Sequence, residues 1–263
     1  MARIDRNSPI PAYYQIALDI RNQILQQELQ VGDRLPPETT LVEIYQVSRV
    51  TIRQALEELA KDDFLERRRG IGTFIKKEPI TITHDLSLPH VLAGRLRSMG
   101  LQTSSRIVEA QNYTSPLPEV QKRLQLTKHT PVAYLKRVLL IGGRPTAVNR
   151  SWFSQDRCPG IADQALVDNS LSLTLRERYG LVPAYADNWL EVTLCAQEAA
   201  LLLDGLVHMP MILVRSVSYL QDDTPLEFSL TEWRGDRTRF NFQANLLHKS
   251  GHSNDIGQLE IAL

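Results

Sequence analysis

Residues 35–75 hold the pattern that most constrains how this chain can fold: a helix, a tight turn, a second helix and an arginine-rich hairpin. Their sequence is LPPETTLVEIYQVSRVTIRQALEELAKDDFLERRRGIGTFI. The start of the second helix is the best specified point. Ser48 follows a short Tyr45-Gln46-Val47 turn, and its hydroxyl can cap the unpaired amides of a helix that begins there. We therefore expect a helix over residues 49–62.

This second helix has one apolar side and one polar side. Apolar residues recur at the spacing of a single helical stripe and predict its buried side: Ile52, Ala55, Leu56 and Leu59. Arg49 and Arg53 are four residues apart and therefore share the other side, near the N-terminal tip. Such a tip can touch base edges in DNA, and an arginine can donate two hydrogen bonds to guanine O6 and N7. Two solvated surface arginines are the alternative reading, since charges on helices are most often hydrated.

The flanking residues fit a small DNA-binding domain. Apolar positions before this helix predict two more helices that pack with it: Ile16, Ile20, Ile24, Leu25, Leu41, Val42 and Ile44. After it, short strands at 64–65 and 73–75 flank the sequence RRRGIG. The two glycines, Gly70 and Gly72, allow a positive φ, and three arginines at the tip of such a hairpin suit phosphates or a minor groove. A solvated hairpin whose glycines serve only the turn is the alternative.

Five short motifs, in order, resemble the winged helix-turn-helix domain of GntR-family transcriptional regulators. They are YQI at 14–16, GDRLP at 32–36, YQVSR at 45–49, TIRQAL at 51–56 and GIGTF at 70–74. The resemblance implies double-stranded operator DNA as a partner, with contacts from Arg34, Ser48, Arg49, Val50, Thr51, Arg53, Arg69 and Gly70. The chain departs from the family pattern at Pro37, where serine is common, and at Asp62-Asp63, where glycine is frequent. Neither departure falls on an expected DNA contact.

Composition limits the classes of function. A chain of 263 residues suits two domains, each with its own core. Its 30 basic and 30 acidic residues cancel, so positive charge is concentrated locally on one face of residues 49–77. No apolar run approaches the ~20 residues of a membrane span, and the first residues lack the apolar core of a secretory leader. We expect a cytosolic protein that does not enter a membrane.

Metal, cofactor and enzyme chemistry are not predicted. Cys158 and Cys195 have no metal-ligand spacing and are expected to be reduced and packed. His248 and His252 are four residues apart, but they lie in a polar tail without a carboxylate or cysteine cluster. The sequence contains no nucleophile elbow, metal triad or phosphate-binding glycine loop. We therefore expect no metal, no cofactor and no catalytic residues.

A repeat organises the second half of the chain. Residues 119–141 align with residues 198–220 at an offset of 79, which matches Glu119 with Glu198. Each copy reads as a short helix, a loop and a long strand, followed by a turn and a second strand. A further helix and strand are predicted between the copies, at 170–179 and 183–195. Hairpins with interleaved helices predict an antiparallel sheet with helices packed on it, an α+β domain.

This second half resembles the UTRA effector domain of the HutC subfamily, a fold shared with chorismate lyase. The most specific motifs are PLEFS at 225–229 and WRGDR at 233–237. The resemblance implies a small polar effector, such as a sugar phosphate or another anion, bound by Asp85, Leu86, Arg137, Asn149, Ser170, Glu227 and Trp233. A helix N-terminus beside an arginine suits a phosphate or carboxylate group.

Three positions depart from the UTRA pattern. Leu139 stands where a second basic residue is often found, Asn149 where an acid is often found, and Ser172 where an aromatic residue is often found. These departures count against a phosphosugar as the effector. A buried structural ion pair across the sheet is the alternative reading of Arg137 and Glu227.

The complete expectation is an α+β protein with an N-terminal winged helix-turn-helix domain and a C-terminal antiparallel-sheet UTRA domain. The domain bounds are 8–77 for DNA binding, 78–85 for a linker, 86–240 for effector binding and dimerisation, and 241–263 for a tail. The expected function is a homodimeric regulator, commonly a repressor in this family, whose operator binding responds to the effector. The alternatives are a second domain that only dimerises and a lyase-like enzyme, which rests on fold analogy alone.

Overall fold

The computed structural model describes residues 4–61, 63–76, 83–84 and 102–240, with backbone alone at 83–84 and 239. The expected effector contacts Asp85 and Leu86, most of the expected linker and the tail lie outside these residues. The N-terminal part contains helices α1 (Ala12–Leu25), α2 (Glu38–Tyr45) and α3 (Arg49–Lys61), followed by strands β1 (Leu65–Arg68) and β2 (Gly72–Ile75).

The three helices enclose one apolar core, as their periodicity predicts. Its buried members include Ile16, Ile20, Ile24, Leu41, Ile52, Ala55, Leu56 and Leu59. Helix α2 ends at Tyr45, and the following residue, Gln46, adopts a left-handed conformation with φ of 52° that makes the turn tight. Ser48 then caps α3, because its Oγ accepts a hydrogen bond from the Thr51 amide at 3.2 Å. The predicted start of the second helix is therefore confirmed.

The hairpin differs from the prediction in where its arginines lie. Arg67 pairs with Thr73 and Arg68 pairs with Gly72, so both belong to the antiparallel ladder. The reversal itself needs few residues, since Gly70 takes a φ of 75° and the Ile71 amide donates to the Arg68 carbonyl at 3.0 Å. The expectation of three arginines at the tip was wrong: Arg69 alone of the three lies in the turn.

The C-terminal part is a six-stranded antiparallel sheet with helices on it, so the predicted α+β class is confirmed. Its strands are β4 (Thr103–Tyr113), β5 (Val132–Ile141), β6 (Arg144–Ser154), β7 (Tyr185–Leu194), β8 (Pro210–Tyr219) and β9 (Pro225–Arg234). They are arranged in the order β4-β5-β6-β9-β8-β7. The helices are α4 (Pro118–Arg123), α5 (Leu171–Tyr179) and α6 (Gln197–Leu202), with a 3-10 turn at Val167–Asn169. Strand β3 (Thr83–His84) pairs in parallel with β10 (Arg239–Phe240).

The sequence repeat is also a repeat in the structure. The unit α4-β5-β6 corresponds to α6-β8-β9, and the two units meet where β6 pairs with β9. The helix of each unit forms an ion pair with a strand of the other unit. Lys136 on β5 donates to Glu198 on α6, and Arg215 Nη1 on β8 donates to Glu119 Oε1 on α4 at 3.1 Å. Lys136 and Arg215 are themselves 79 residues apart. These crossed ion pairs join the two halves of the sheet on one face.

Candidate DNA interface and effector site

The start of α3 brings five of the predicted DNA contacts together: Ser48, Arg49, Val50, Thr51 and Arg53. The side chains of Arg49 and Arg53 are 61% and 55% exposed. Glu38 of α2 accepts from both, through one carboxylate oxygen. The hydrogen bond from Arg49 is the largest cause that lowers the pKa of Glu38. Burial opposes it, and the hydrogen bond from Arg53 and the charges of both arginines lower the pKa further.

The remaining predicted DNA contacts lie at the wing. Arg34 forms an isolated antiparallel β-bridge, through its backbone, with Phe74 of β2. Gly70 and Arg69 lie in the turn of the hairpin. A Cβ at Gly72 would meet Arg34 Nε at 2.7 Å, and Gly72 has a φ of 145°. The φ of Gly72 would strain any other residue, and a Cβ there would also force the Arg34 side chain to shift.

A buried polar strip crosses one face of the C-terminal sheet between two apolar clusters. It consists of Arg137, Asn149, Ser151, Ser216, Ser218, Glu227, Ser229 and Thr231. The strands' register assembles it, since Arg137 lies opposite Asn149, which lies opposite Thr231. In the neighbouring row, Ser229 pairs with Ser151 on one side and Ser216 on the other. Side chains that alternate along each strand share this face.

Side-chain hydrogen bonds connect five members of the polar strip. Arg137 Nη2 donates to Asn149 Oδ1 and, at 3.2 Å, to Ser151 Oγ. Ser151 Oγ lies 2.6 Å from Glu227 Oε1, and Asn149 Nδ2 donates to Thr231 Oγ1 at 2.8 Å. Burial raises the pKa of Glu227, partly offset by Arg137, and burial lowers the pKa of Arg137. The strip thus holds a guanidinium group and a carboxyl group, connected through a hydroxyl.

Two polar atoms of the strip have no hydrogen-bond partner among the described residues. They are Arg137 Nε and Ser218 Oγ, and both are buried. Most buried polar atoms in folded proteins have a partner, and leaving one without costs about 1–3 kcal/mol. The strip can therefore form hydrogen bonds beyond those within it.

The other two predicted effector contacts in the described residues, Ser170 and Trp233, are not members of this strip. Ser170 caps α5, because its Oγ accepts from the Leu173 amide at 3.4 Å. Trp233 is buried in an apolar cluster with Ala147 and Val214, next to the strip. The effector contacts that the resemblance implied did not include the hydroxyls at positions 151, 216, 218, 229 and 231. Polar residues at every second position of otherwise apolar strands would have indicated them.

A second polar cluster joins the two domains. Asp236, just after β9, accepts from Tyr14 OH and from Arg21 Nη1 on α1, each at 2.8 Å. Arg234 Nη2 donates to the same carboxylate at 2.8 Å. Burial alone would raise the pKa of Asp236, but Arg234, Arg21 and Arg237 outweigh it and hold that pKa well below its usual value. We call Tyr14, Arg21, Arg234 and Asp236 the interdomain cluster.

The part of the chain that the structure describes has neither a metal site nor a membrane-spanning helix. No group of three or more His, Cys, Asp and Glu side chains there could hold a metal ion. No helix there is long and apolar enough to cross a membrane. Cys158 and Cys195 are buried free cysteines, and burial is the main cause that raises the pKa of each thiol.

Comparison with known proteins gives matches over both parts of the chain. The model of bacterial regulatory proteins, gntR family, matches residues 12–75, and the UTRA domain model matches residues 98–239. The HTH-type transcriptional repressor NagR of Bacillus subtilis is 30% identical over 238 residues, covering 90% of this chain and 96% of NagR.

Two further matches cover both chains almost completely. The mannosyl-D-glycerate transport/metabolism system repressor MngR of Escherichia coli is 29% identical, covering 89% of this chain and 96% of MngR. The crystal structure of PhnF from Mycobacterium smegmatis has a TM-score of 0.59 and 26% identity, covering 88% of this chain and 100% of PhnF. The likeness therefore includes the arrangement of both domains along the chain.

Proposed function

Because the chain belongs to the GntR family of bacterial regulatory proteins and carries a UTRA domain, we propose that it is a repressor that a small polar metabolite releases from its operator. The names of NagR and MngR, which are both repressors, support repression. We also propose that the DNA-binding domain ends at residue 77 and that the effector domain begins at residue 86. A protein that binds operator DNA works in the cytosol, and we propose that location too.

In the proposed complex, the tip of α3 enters the major groove. Arg49 and Arg53 read base edges there, while Ser48, Val50 and Thr51 contact the adjoining backbone and bases. Exposure of the two arginine side chains supports this role, since neither has to leave a core to reach DNA. Arg34, Arg69 and Gly70 are proposed to contact the phosphate backbone or the minor groove from the wing.

The observation that carries effector binding is the buried polar strip, in which Arg137 Nε has no partner among the described residues. A buried ion pair alone would need Arg137 and Glu227, whereas the strip adds Asn149 and several hydroxyls across three strands. A polyhydroxylated or acidic metabolite could accept from Arg137 and exchange hydrogen bonds with those hydroxyls. We propose binding without turnover, in keeping with relatives that are transcriptional regulators.

Strand β9 offers a direct route from the effector to the DNA-binding domain. It carries Glu227, Ser229 and Thr231 of the strip and ends at Arg234, beside Asp236. Asp236 in turn holds α1 through Tyr14 and Arg21. A ligand that displaces β9 would therefore tilt the winged helix on the sheet and spoil its match to the operator.

We propose a homodimer that binds two half-sites of a palindrome about one helical turn apart. The outermost strand β7 supports this, because its apolar side chains Leu190, Val192 and Leu194 are exposed, Val192 by 84%. Long apolar edge strands are usually covered by another chain or element. Antiparallel addition of a second β7 would cover this edge with two-fold symmetry.

A thermal-shift screen tests the effector site in the full chain. The compounds are phosphorylated and unphosphorylated sugars, amino acids and small carboxylates, applied to wild type, Arg137→Ala and the exposed-site control Arg176→Ala. A ligand at 100 times its Kd adds about 2.7 kcal/mol of apparent stability. We expect a compound that stabilises wild type and the control but not Arg137→Ala. A shift that Arg137→Ala retains would place the ligand site away from Arg137. No shift with any compound would favour a domain that only dimerises.

A further inference from the structure

Glu38 lies between the two arginines that are proposed to read bases. Its Oε2 atom accepts a hydrogen bond from Arg49 Nε at 2.8 Å and another from Arg53 Nε at 3.0 Å. Both donors are the inner nitrogen of a guanidinium group, so the outer Nη1 and Nη2 nitrogens of both arginines take no part in these bonds. The geometry of Glu38 thus leaves free the donors that guanine recognition uses.

We infer that Glu38 is a positioning residue for specific DNA recognition, which holds Arg49 and Arg53 side by side with their outer nitrogens directed at base edges. This inference rests on the proposed DNA-reading role of the two arginines. Without Glu38, two like charges one helical turn apart repel each other, and each long side chain regains its rotamer freedom. Bidentate contacts to a base depend on a fixed orientation of the guanidinium plane.

Glu38 is itself well placed to fix that orientation. It is the first residue of α2, where a carboxylate is favoured by the unpaired amides of the helix N-terminus. Its side chain is 26% exposed, less than half the exposure of either arginine. The carboxylate of Glu38 is therefore held close to α2, while the two arginines bonded to it remain accessible.

A carboxylate at a DNA-binding surface has an electrostatic cost. It repels the phosphate backbone of every DNA sequence, so its removal should strengthen nonspecific binding. If Glu38 positions the arginines, its removal should at the same time weaken binding to the preferred sequence. These opposite signs distinguish a positioning role from that of a merely repulsive charge.

The experiment compares full-length Glu38→Gln with Glu43→Gln. Glu43 is an exposed residue of the same helix and does not bond to either arginine, so its variant removes the same charge without the bridge. The probes are the duplex that wild type selects from a randomised library and a scrambled duplex of equal length. Fluorescence anisotropy gives the affinity of each variant for both duplexes at two salt concentrations.

We expect Glu38→Gln to lower the ratio of specific to nonspecific affinity roughly tenfold, in line with the loss of one well-oriented base contact. Glu43→Gln should leave that ratio unchanged. In a double-mutant cycle, Glu38→Gln combined with Arg49→Ala should lose less than the two separate losses, because both variants disrupt the same contact. An unchanged ratio in Glu38→Gln, or strictly additive losses, would overturn the inference.

Glu38→Asp guards against a trivial effect on folding. It keeps a negative charge at the start of α2 but is one methylene shorter and cannot hold both arginines, so the affinity ratio should fall here too. Thermal melts of all variants identify any loss of fold. If wild type selects no sequence from the library, the proposed DNA-reading function itself fails. If it does select one and both Glu38 variants retain its specificity, only the role of Glu38 fails.

Discussion

Burial gives two arginines of this chain different roles. Arg49 is mostly exposed and shares a carboxylate with Arg53, so its outer nitrogens can meet an incoming ligand. Arg137 is buried in a sheet, where Asn149 and Ser151 accept its hydrogen bonds. Arginine in the first setting suits a large polyanion, whereas in the second it suits a small ligand that is itself removed from water.

At the residue scale, Arg49→Ala and Arg68→Ala should affect DNA binding differently. Arg49→Ala should cost about 1–3 kcal/mol and relax specificity at one base pair. Arg68 lies on the wing, where its Cζ is 4.5 Å from the centre of the Phe74 ring and its Nη2 donates to Glu66. A wing arginine that contacts phosphates reads no bases, so its loss should weaken binding to all DNA sequences alike and flatten the salt dependence. Electrophoretic shift assays at two salt concentrations measure both effects. Operator affinity of Arg49→Ala equal to that of wild type would refute the assignment of the recognition helix.

The six-stranded sheet has a different environment at each edge and in its centre. Its central strands β6 and β9 carry the polar strip on one face, and the crossed ion pairs bind the repeated units on the other. Its outer strand β7 exposes Leu190, Val192 and Leu194, and the opposite edge strand β4 exposes Val108 and Tyr113 to a smaller extent. An element buried in the middle can therefore bind a ligand, while an edge can extend the sheet into a second molecule.

At the element scale, Val192→Glu should shift the protein from dimer to monomer. Pairing of two β7 strands about a two-fold axis would bring this charge and its symmetry copy onto the same face of the joined sheet, where like charges repel. Val182→Glu is the matched control, because Val182 is also exposed but precedes the strand. Light scattering measures the molar mass of each variant. A dimer that persists in Val192→Glu would place the interface elsewhere.

The whole molecule is joined by contacts between residues far apart in the chain. Tyr14 and Asp236 are 222 positions apart, and Tyr14 also packs with Val138, Met209 and Met211 of the sheet domain. The low pKa of Asp236 in the folded protein means that its ion pairs stabilise docking above its ordinary pKa. That stabilisation is lost as the pH falls through the folded value, so docking should persist in mild acid and weaken in strong acid.

Asp236→Asn should reduce the coupling between effector and operator. In wild type we expect the effector to weaken operator binding, and the operator to weaken effector binding by the same factor, typically 1–3 kcal/mol. Asp236→Asn loosens the contact that carries this effect, whereas Asp156→Asn, at an exposed position, should not. Calorimetric titration of the effector with and without operator duplex measures the coupling. Equal affinity in both titrations of wild type would contradict the mechanism.

Local pattern sufficed for most elements of this fold. The Ser48 cap, the stripe on α3 and the repeated helix-strand units depend on residues close in sequence, and the structure has all three. The wing arginines were misplaced because the length of a hairpin ladder depends on strand pairing as well as on its glycines. Motif resemblance identified Arg137, Asn149 and Glu227 but not the hydroxyls that surround them.

The sequence by itself determined the fold classes of the two domains and the start of helix α3. Tertiary structure alone decided which charged and polar residues meet. In the folded protein, Glu38 bonds to two arginines and Asp236 bonds to α1. The register of β6, β9 and β8 places their hydroxyls side by side in the strip. The physical reason is that periodicity and capping act within a few residues, whereas register and domain docking are set by burial of surfaces distant in the chain.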